Sequence, residues 1–162
     1  GSRDGVEVDR AVVAADGLVG RVVAVGPWTS DVLLLGSPGL ALGVRVGERG
    51  VLGEASGSAV AGAARPAPGL LSVGLVERGS MTAGESATTL GSVGGRPYAP
   101  GIRVGTVRSV DPGIAGLAPT GTLTPAVDPT SIDVVAVVLG DPRRAPRPVA
   151  TPGPGPSATV AP

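Results

Sequence analysis

An all-β fold is the architecture that this 162-residue sequence predicts, and three observations carry it. Valine dominates the apolar residues; its β-branched side chain fits a pleated surface and crowds a helical turn. Aromatic residues amount to one Trp and one Tyr, with no Phe, so the core must be filled with aliphatic side chains. Twenty-eight Gly and 17 Pro recur between the apolar runs and cut the chain into short strands joined by turns. The length suits one domain or two small ones, enough to bury a real core.

The strands follow in order. Asp16-Gly17 is a hairpin-type turn signal, after which Leu18 to Val25 forms a strand that Pro27 stops. Thr29 to Leu35 is the next strand, and its end, Val32 to Leu35, is apolar on both faces, as expected in the interior of a barrel or sandwich. Gly36, Pro38 and Gly39 turn the chain. Leu40 to Val46 then alternates, so that Leu40, Leu42, Val44 and Val46 share one face, which should be core. Val51 to Ala55 and Leu70 to Val76 are shorter strands around the small-residue loop Gly57 to Gly69. Glu77 to Gly95 is the least periodic stretch, with one strand around Ala87 to Leu90. Ile102 to Val110 and Leu117 to Val127 follow. Asp133 to Leu139 reads as a last strand, because Val134, Val135, Val137 and Val138 would crowd a helix.

At Asp141 the composition changes to "DPRRAPRPVATPGPGPSATVAP". Proline removes backbone donors and glycine adds entropy, so residues 141–162 are expected to be a flexible tail in which Arg143, Arg144 and Arg147 are solvated. Thirteen Arg balance 13 Asp and Glu, leaving neither the basic excess of a nucleic-acid binder nor an acidic field. No nucleic-acid partner is expected. The absence of Cys fits an oxidising or a reducing compartment equally. No apolar run approaches the ~20 residues that a membrane-spanning helix needs.

The chain lacks the side chains on which most catalysis depends. Ser-His-Asp and Cys-His sites need an imidazole or a thiolate and Ser-Lys dyads an amine; His, Cys and Lys are all missing. "GES" at Gly84 to Ser86 is then a polar turn, since a serine without a base is a weak nucleophile. A zinc centre would want His or Cys ligands, and the spaced glycines introduce no helix that could hold a phosphate. No cofactor or metal is expected. A carboxylate pair could still run glycoside hydrolysis, with Glu48 and Glu54 or Asp111 and Asp128 as formal candidates. That alternative, a secreted all-β carbohydrate-binding or glycoside hydrolase module, lacks the aromatic platforms sugar sites usually present.

Trp28 and Tyr98 both lie beside prolines in turns. Aromatics with an exposed face are favoured binding anchors, and a ring capping the end of a core is the competing arrangement. They are the candidate partner-binding residues.

Several ordered blocks resemble one family. These are "GSRDGV" at the start, "DGLVGRVVAVGPWTSDVLLLGSPGLALGVRVGERGVLGEASG" at Asp16 to Gly57, "GGRPYAPGIRVGTVRSV" at Gly94 to Val110, and "VDPTSIDVVAVVL" at Val127 to Leu139. Together they resemble the extracytoplasmic part of the rod shape-determining protein MreC family. The resemblance implies two small, closely packed β-barrels within residues 1–140, the second at about 43–111 and open to being inserted in the first. One would resemble a chymotrypsin-type barrel without catalytic residues. It also implies a non-enzymatic scaffold of the cell-elongation (rod) complex. Implied partners are a class B penicillin-binding transpeptidase, MreD, RodA and MreB, with self-assembly into dimers or filaments. The implied place is the periplasmic face of the cytoplasmic membrane, reached through an N-terminal membrane helix that this chain does not contain. Ala55 to Leu70 and Glu77 to Gly91 depart most from the family pattern.

Overall fold

A computed structural model describes residues 1–76, 79–111 and 118–139. The expected tail at 141–162 lies outside the described residues. Among the described residues ten strands form two antiparallel units: β1 (Ala11–Ala14), β2 (Gly17–Val25), β3 (Ser30–Leu34), β4 (Ala41–Val46), β5 (Val51–Ser56), β6 (Leu71–Leu75), β7 (Ser86–Thr89), β8 (Arg103–Asp111), β9 (Thr120–Pro125) and β10 (Ala136–Val137). One unit is a four-stranded sheet in the order β10-β1-β2-β3, and the other is a closed barrel in the order β4-β5-β6-β9-β8-β7. The fold is therefore all-β, as expected. The barrel strands run from Ala41 to Pro125, which takes in β9 beyond the approximate 43–111 expected for the second barrel.

Alternation builds the barrel. Along β4, inward Leu42, Val44 and Val46 are buried while Ala41, Gly43 and Arg45 face out, as the period of two requires. The register Gly43↔Glu54, Val44↔Gly53, Arg45↔Leu52 keeps both strands of the β4–β5 hairpin in phase. Between them Gly47 and Gly50 adopt left-handed φ of 68° and 65°. Across the lumen Leu71, Val73, Val104, Val107 and Leu123 meet the β4 side chains in one aliphatic core. β4 pairs with β7 through Val44↔Thr89 and Val46↔Ala87, and this ladder closes the barrel and removes its edges.

The sheet is not a separate body. Ala11, Leu18 and Leu35 belong to the barrel's core cluster, whereas Val12, Val19, Val22 and Val127 form a second, smaller core on the opposite face. β1 and β2 are thus buried on both sides. Their junction with the barrel is backbone against backbone. A Cβ on Gly17 would lie 2.4 Å from the Arg103 carbonyl oxygen and 3.0 Å from the Ala126 Cβ, and its φ of 152° is itself unfavourable to a side chain. Only glycine lets β2 begin there.

Three sequence expectations need correction. The hairpin turn before β2 is Ala15-Asp16, with Ala14↔Gly17 paired and Gly17 already in the strand, and β1 precedes it where no strand was expected. Thr29 to Leu35 is not an interior strand: β3 pairs with β2 and forms an edge of the described sheet, and Leu34 is 37% exposed. Asp133 to Leu139 shrinks to the two residues of β10, with Val134 80% exposed. Apolar composition alone did not separate a buried strand from an edge.

Candidate functional site

Trp28 sits at the tip of the β2–β3 hairpin. Val25↔Ser30 is the last ladder pair, and the Gly26 N–H donates to the Thr29 carbonyl (2.8 Å), which closes a tight turn around Pro27 and Trp28. The amino-terminal "GSRDGV" block braces this turn. Its single 3-10 turn, Ser2–Asp4, donates from Ser2 N–H to the Gly26 carbonyl (2.9 Å) and from Arg3 N–H to the Pro27 carbonyl (3.3 Å). The Arg3 guanidinium stands 4.1 Å above the centroid of the indole ring, a cation–π contact that holds the ring's orientation. The ring nevertheless remains 68% exposed. A rigid, exposed aromatic on a braced turn has little ordering entropy to lose on binding.

Tyr98 is placed differently. It is 5% exposed and belongs to the barrel's core cluster, so its ring caps the core at the seam with the sheet. The loop that carries it is tied down locally: Ser92 N–H donates to the Tyr98 carbonyl (2.9 Å), Tyr98 N–H to Ser92 Oγ (3.4 Å), and Thr89 Oγ1 to the Ala99 carbonyl (2.6 Å). Burial raises the phenol pKa above its ordinary 10.0; the nearby Arg21 charge opposes this and the Asp9 charge adds to it. The structure does not present Trp28 and Tyr98 as one exposed pair.

Charged residues that the sequence reading did not single out cross the same seam. The Glu7 carboxylate accepts from Arg10 at 2.6 Å and lies 2.9 Å from an Arg96 nitrogen, and Arg21 pairs with Asp9 at 3.0 Å. The hydrogen bond from Arg10, followed by the Arg96 charge, holds the Glu7 carboxyl below its ordinary 4.5. These links join the segment before β1, strand β2 and the loop after β7. Nothing in "VEVDR" announces partners almost 90 positions away in the chain, so no sequence signal could have found the Glu7–Arg96 pair.

The candidate carboxylates lie in a turn, on an outward strand face, at a strand end and in a loop. Glu48 lies in the β4–β5 turn and Glu54 points outward from β5 opposite Gly43. Asp111 ends β8, while Asp128 is occupied by the Thr130 N–H (2.9 Å) and hydroxyl (2.7 Å), which lower its pKa. Beside Ser86, the Glu85 carboxylate accepts from the Thr82 N–H at 2.9 Å. Among the described residues no group of three or more His, Cys, Asp or Glu could hold a metal ion. Nor is any helix among them long and apolar enough to cross a membrane.

What the arrangement offers is surface: an exposed tryptophan on a braced turn beside the open edge of β3. Solved structures share the fold. The chain is similar to MreC from Pseudomonas aeruginosa, with a TM-score of 0.71 and 27% identity over 85% of this chain and 84% of that one. It is also similar to MreC from Listeria monocytogenes (TM-score 0.68, 26% identity, 85% of this chain and 63% of that one). A structure described as a complex between penicillin-binding protein 2 and MreC from Helicobacter pylori shares the fold at a TM-score of 0.57 and 20% identity, over 76% of this chain and 73% of that one. A sequence search of curated proteins finds no match. The family model described as "Rod shape-determining protein MreC, barrel core" matches residues 1–139, a span that includes every described residue, and the chain belongs to this family of rod shape-determining proteins.

Proposed function

We propose that this chain is a non-enzymatic scaffold of the cell-elongation complex, acting at the periplasmic face of the cytoplasmic membrane and carried there by an N-terminal membrane helix outside the sequence given. Its partner of first interest is a class B penicillin-binding transpeptidase. MreD, RodA and MreB belong to the same assembly, and copies of the chain associate with one another into dimers or filaments. The observation that carries the reading is the family match over residues 1–139. The Helicobacter pylori structure, described as a complex of MreC with penicillin-binding protein 2, supports the choice of partner.

The mechanism is display. The closed barrel offers no free ladder, so contact falls to the sheet, where the β3 edge can take a partner strand and Trp28 can fill a pocket. Tyr98 contributes from behind, by fixing the loop at the seam. Many weak copies along a filament would add avidity, and the tail from 141 serves as a tether.

Pulldown of the cognate transpeptidase by this chain, with analytical sedimentation of the chain alone, tests the reading. Capture that weakens when Trp28 becomes Ala, and concentration-dependent association, are expected. An ideal monomer that captures no transpeptidase would count against the scaffold, and turnover of peptidoglycan fragments would replace it with an enzyme.

A further inference from the structure

The loop between β5 and β6 lies against the outer wall of the barrel. Val60 is buried there; its N–H donates to Ser72 Oγ at 3.3 Å. It packs where Gly74 has no side chain, since a Cβ on Gly74 would stand 3.0 Å from Val60 Cγ2. Two further turns, Ala63 N–H to the Val60 carbonyl and Leu70 N–H to the Ala67 carbonyl (both 3.0 Å), tie down the rest of the loop.

Between this loop and the β8–β9 hairpin is a partly open cavity of about 380 Å³, lined by Arg65, Pro66 and Leu70 on one side and by Arg108, Ser109 and Thr122 on the other. Arg108 is the extra residue of a β-bulge: Val107 pairs with Leu123 and Ser109 with Thr122, which leaves Arg108 out of the ladder. Such a bulge re-aims the side chain it carries. Arg65 and Arg108 are exposed, and among the described residues neither has an ion pair or a side-chain hydrogen bond, whereas Arg10, Arg21 and Arg96 all meet carboxylates. Ser109 Oγ and Thr122 Oγ1 are 2.7 Å apart, so one hydroxyl donates to the other and a single O–H is left to donate elsewhere. Asp111 also lines the cavity and opposes an anion, but the two guanidiniums outweigh it.

We infer that this cavity binds a small phosphate monoester. A phosphoryl group offers three terminal oxygens and a charge of about −1.5 to −2, which two guanidiniums and a hydroxyl match; a carboxylate offers two oxygens and one charge. At about 30 Å³ per water, the space holds about twelve non-hydrogen atoms, and Pro66 and Leu70 face the carbon part. The site is apart from the Trp28 turn and stands whether or not the chain is a scaffold.

Titration of the whole chain with glycerol 3-phosphate and, separately, with acetate tests the site, with the amide signals of Ser109 and Thr122 followed by NMR. Saturable shifts with the phosphate are expected, with acetate binding about tenfold or more weakly. Arg65→Gln and Arg108→Gln should each weaken the phosphate by about the same factor. Arg49→Gln, in the β4–β5 turn outside the cavity, should leave binding unchanged. Binding of glycerol 3-phosphate without co-sedimentation on phosphatidic acid vesicles assigns the site to a soluble ester; co-sedimentation lost in Arg108→Gln assigns it to a lipid headgroup. Absence of saturation, equal binding of phosphate and acetate, or a loss in Arg49→Gln as large as in Arg108→Gln would overturn the proposal.

Discussion

The barrel and the sheet are made from the same valine-rich sequence and end in opposite conditions. In the barrel every strand has two ladder neighbours, and inward residues such as Val44, Val73, Val104 and Leu123 are fully buried. In the sheet, β1 and β2 are central and buried, but β3 is an edge, and Trp28 projects from the turn that leads into it. The difference comes from closure rather than composition. A closed ladder leaves no backbone group to offer, whereas the outer edge of β3 in the described sheet does.

Substitutions should separate the two. The largest effect is expected from Leu123→Ala, which empties the centre of the barrel core; it should cost about 2–5 kcal/mol in urea unfolding, whereas Leu34→Ala on the sheet edge should cost less than about 1 kcal/mol. Equal losses would break the comparison. Next comes Gly17→Ala, whose methyl group collides with the Arg103 carbonyl; a loss of about 1–3 kcal/mol is expected, and a splitting of the unfolding transition would place the damage at the junction. Trp28→Ala should change the midpoint little while weakening transpeptidase capture by about tenfold or more.

The smallest effect concerns acid. Glu7 has a folded pKa below its ordinary 4.5, so its stabilising link to Arg10 and Arg96 is fully present above about pH 4.5 and is lost as pH falls through the folded value. Melting temperature followed from neutral to acid pH should therefore fall less steeply in Glu7→Gln than in the parent. Parallel curves would mean that the seam's charges do not hold sheet to barrel.

Local chemistry made most of the barrel legible. The alternation of Leu40 to Val46 gave the right buried face, because a period of two converts directly into inside and outside. Even the weakly patterned Ala87 to Leu90 region holds a strand, β7. What stayed hidden depends on neighbours distant in the chain. "VLLL" reads as interior until it is known that β3 is paired with β2 alone among the described strands. Val134 is apolar but exposed because only Ala136 and Val137 find a partner, on β1. For the candidate site, both aromatics stand beside prolines in the sequence, yet this shared local signal left Trp28 in solvent and put Tyr98 into the core. The deciding element is what packs over each turn: a brace from residues 1–6 beside one and the sheet–barrel seam around the other.

Hydrogen exchange of the chain, free and bound to its cognate transpeptidase, tests the division of labour most directly. Added protection is predicted along β3 and the Trp28 turn, with the amides of β4 to β9 unchanged. Protection confined to the barrel, with the sheet edge exchanging as it does in the free chain, would contradict it.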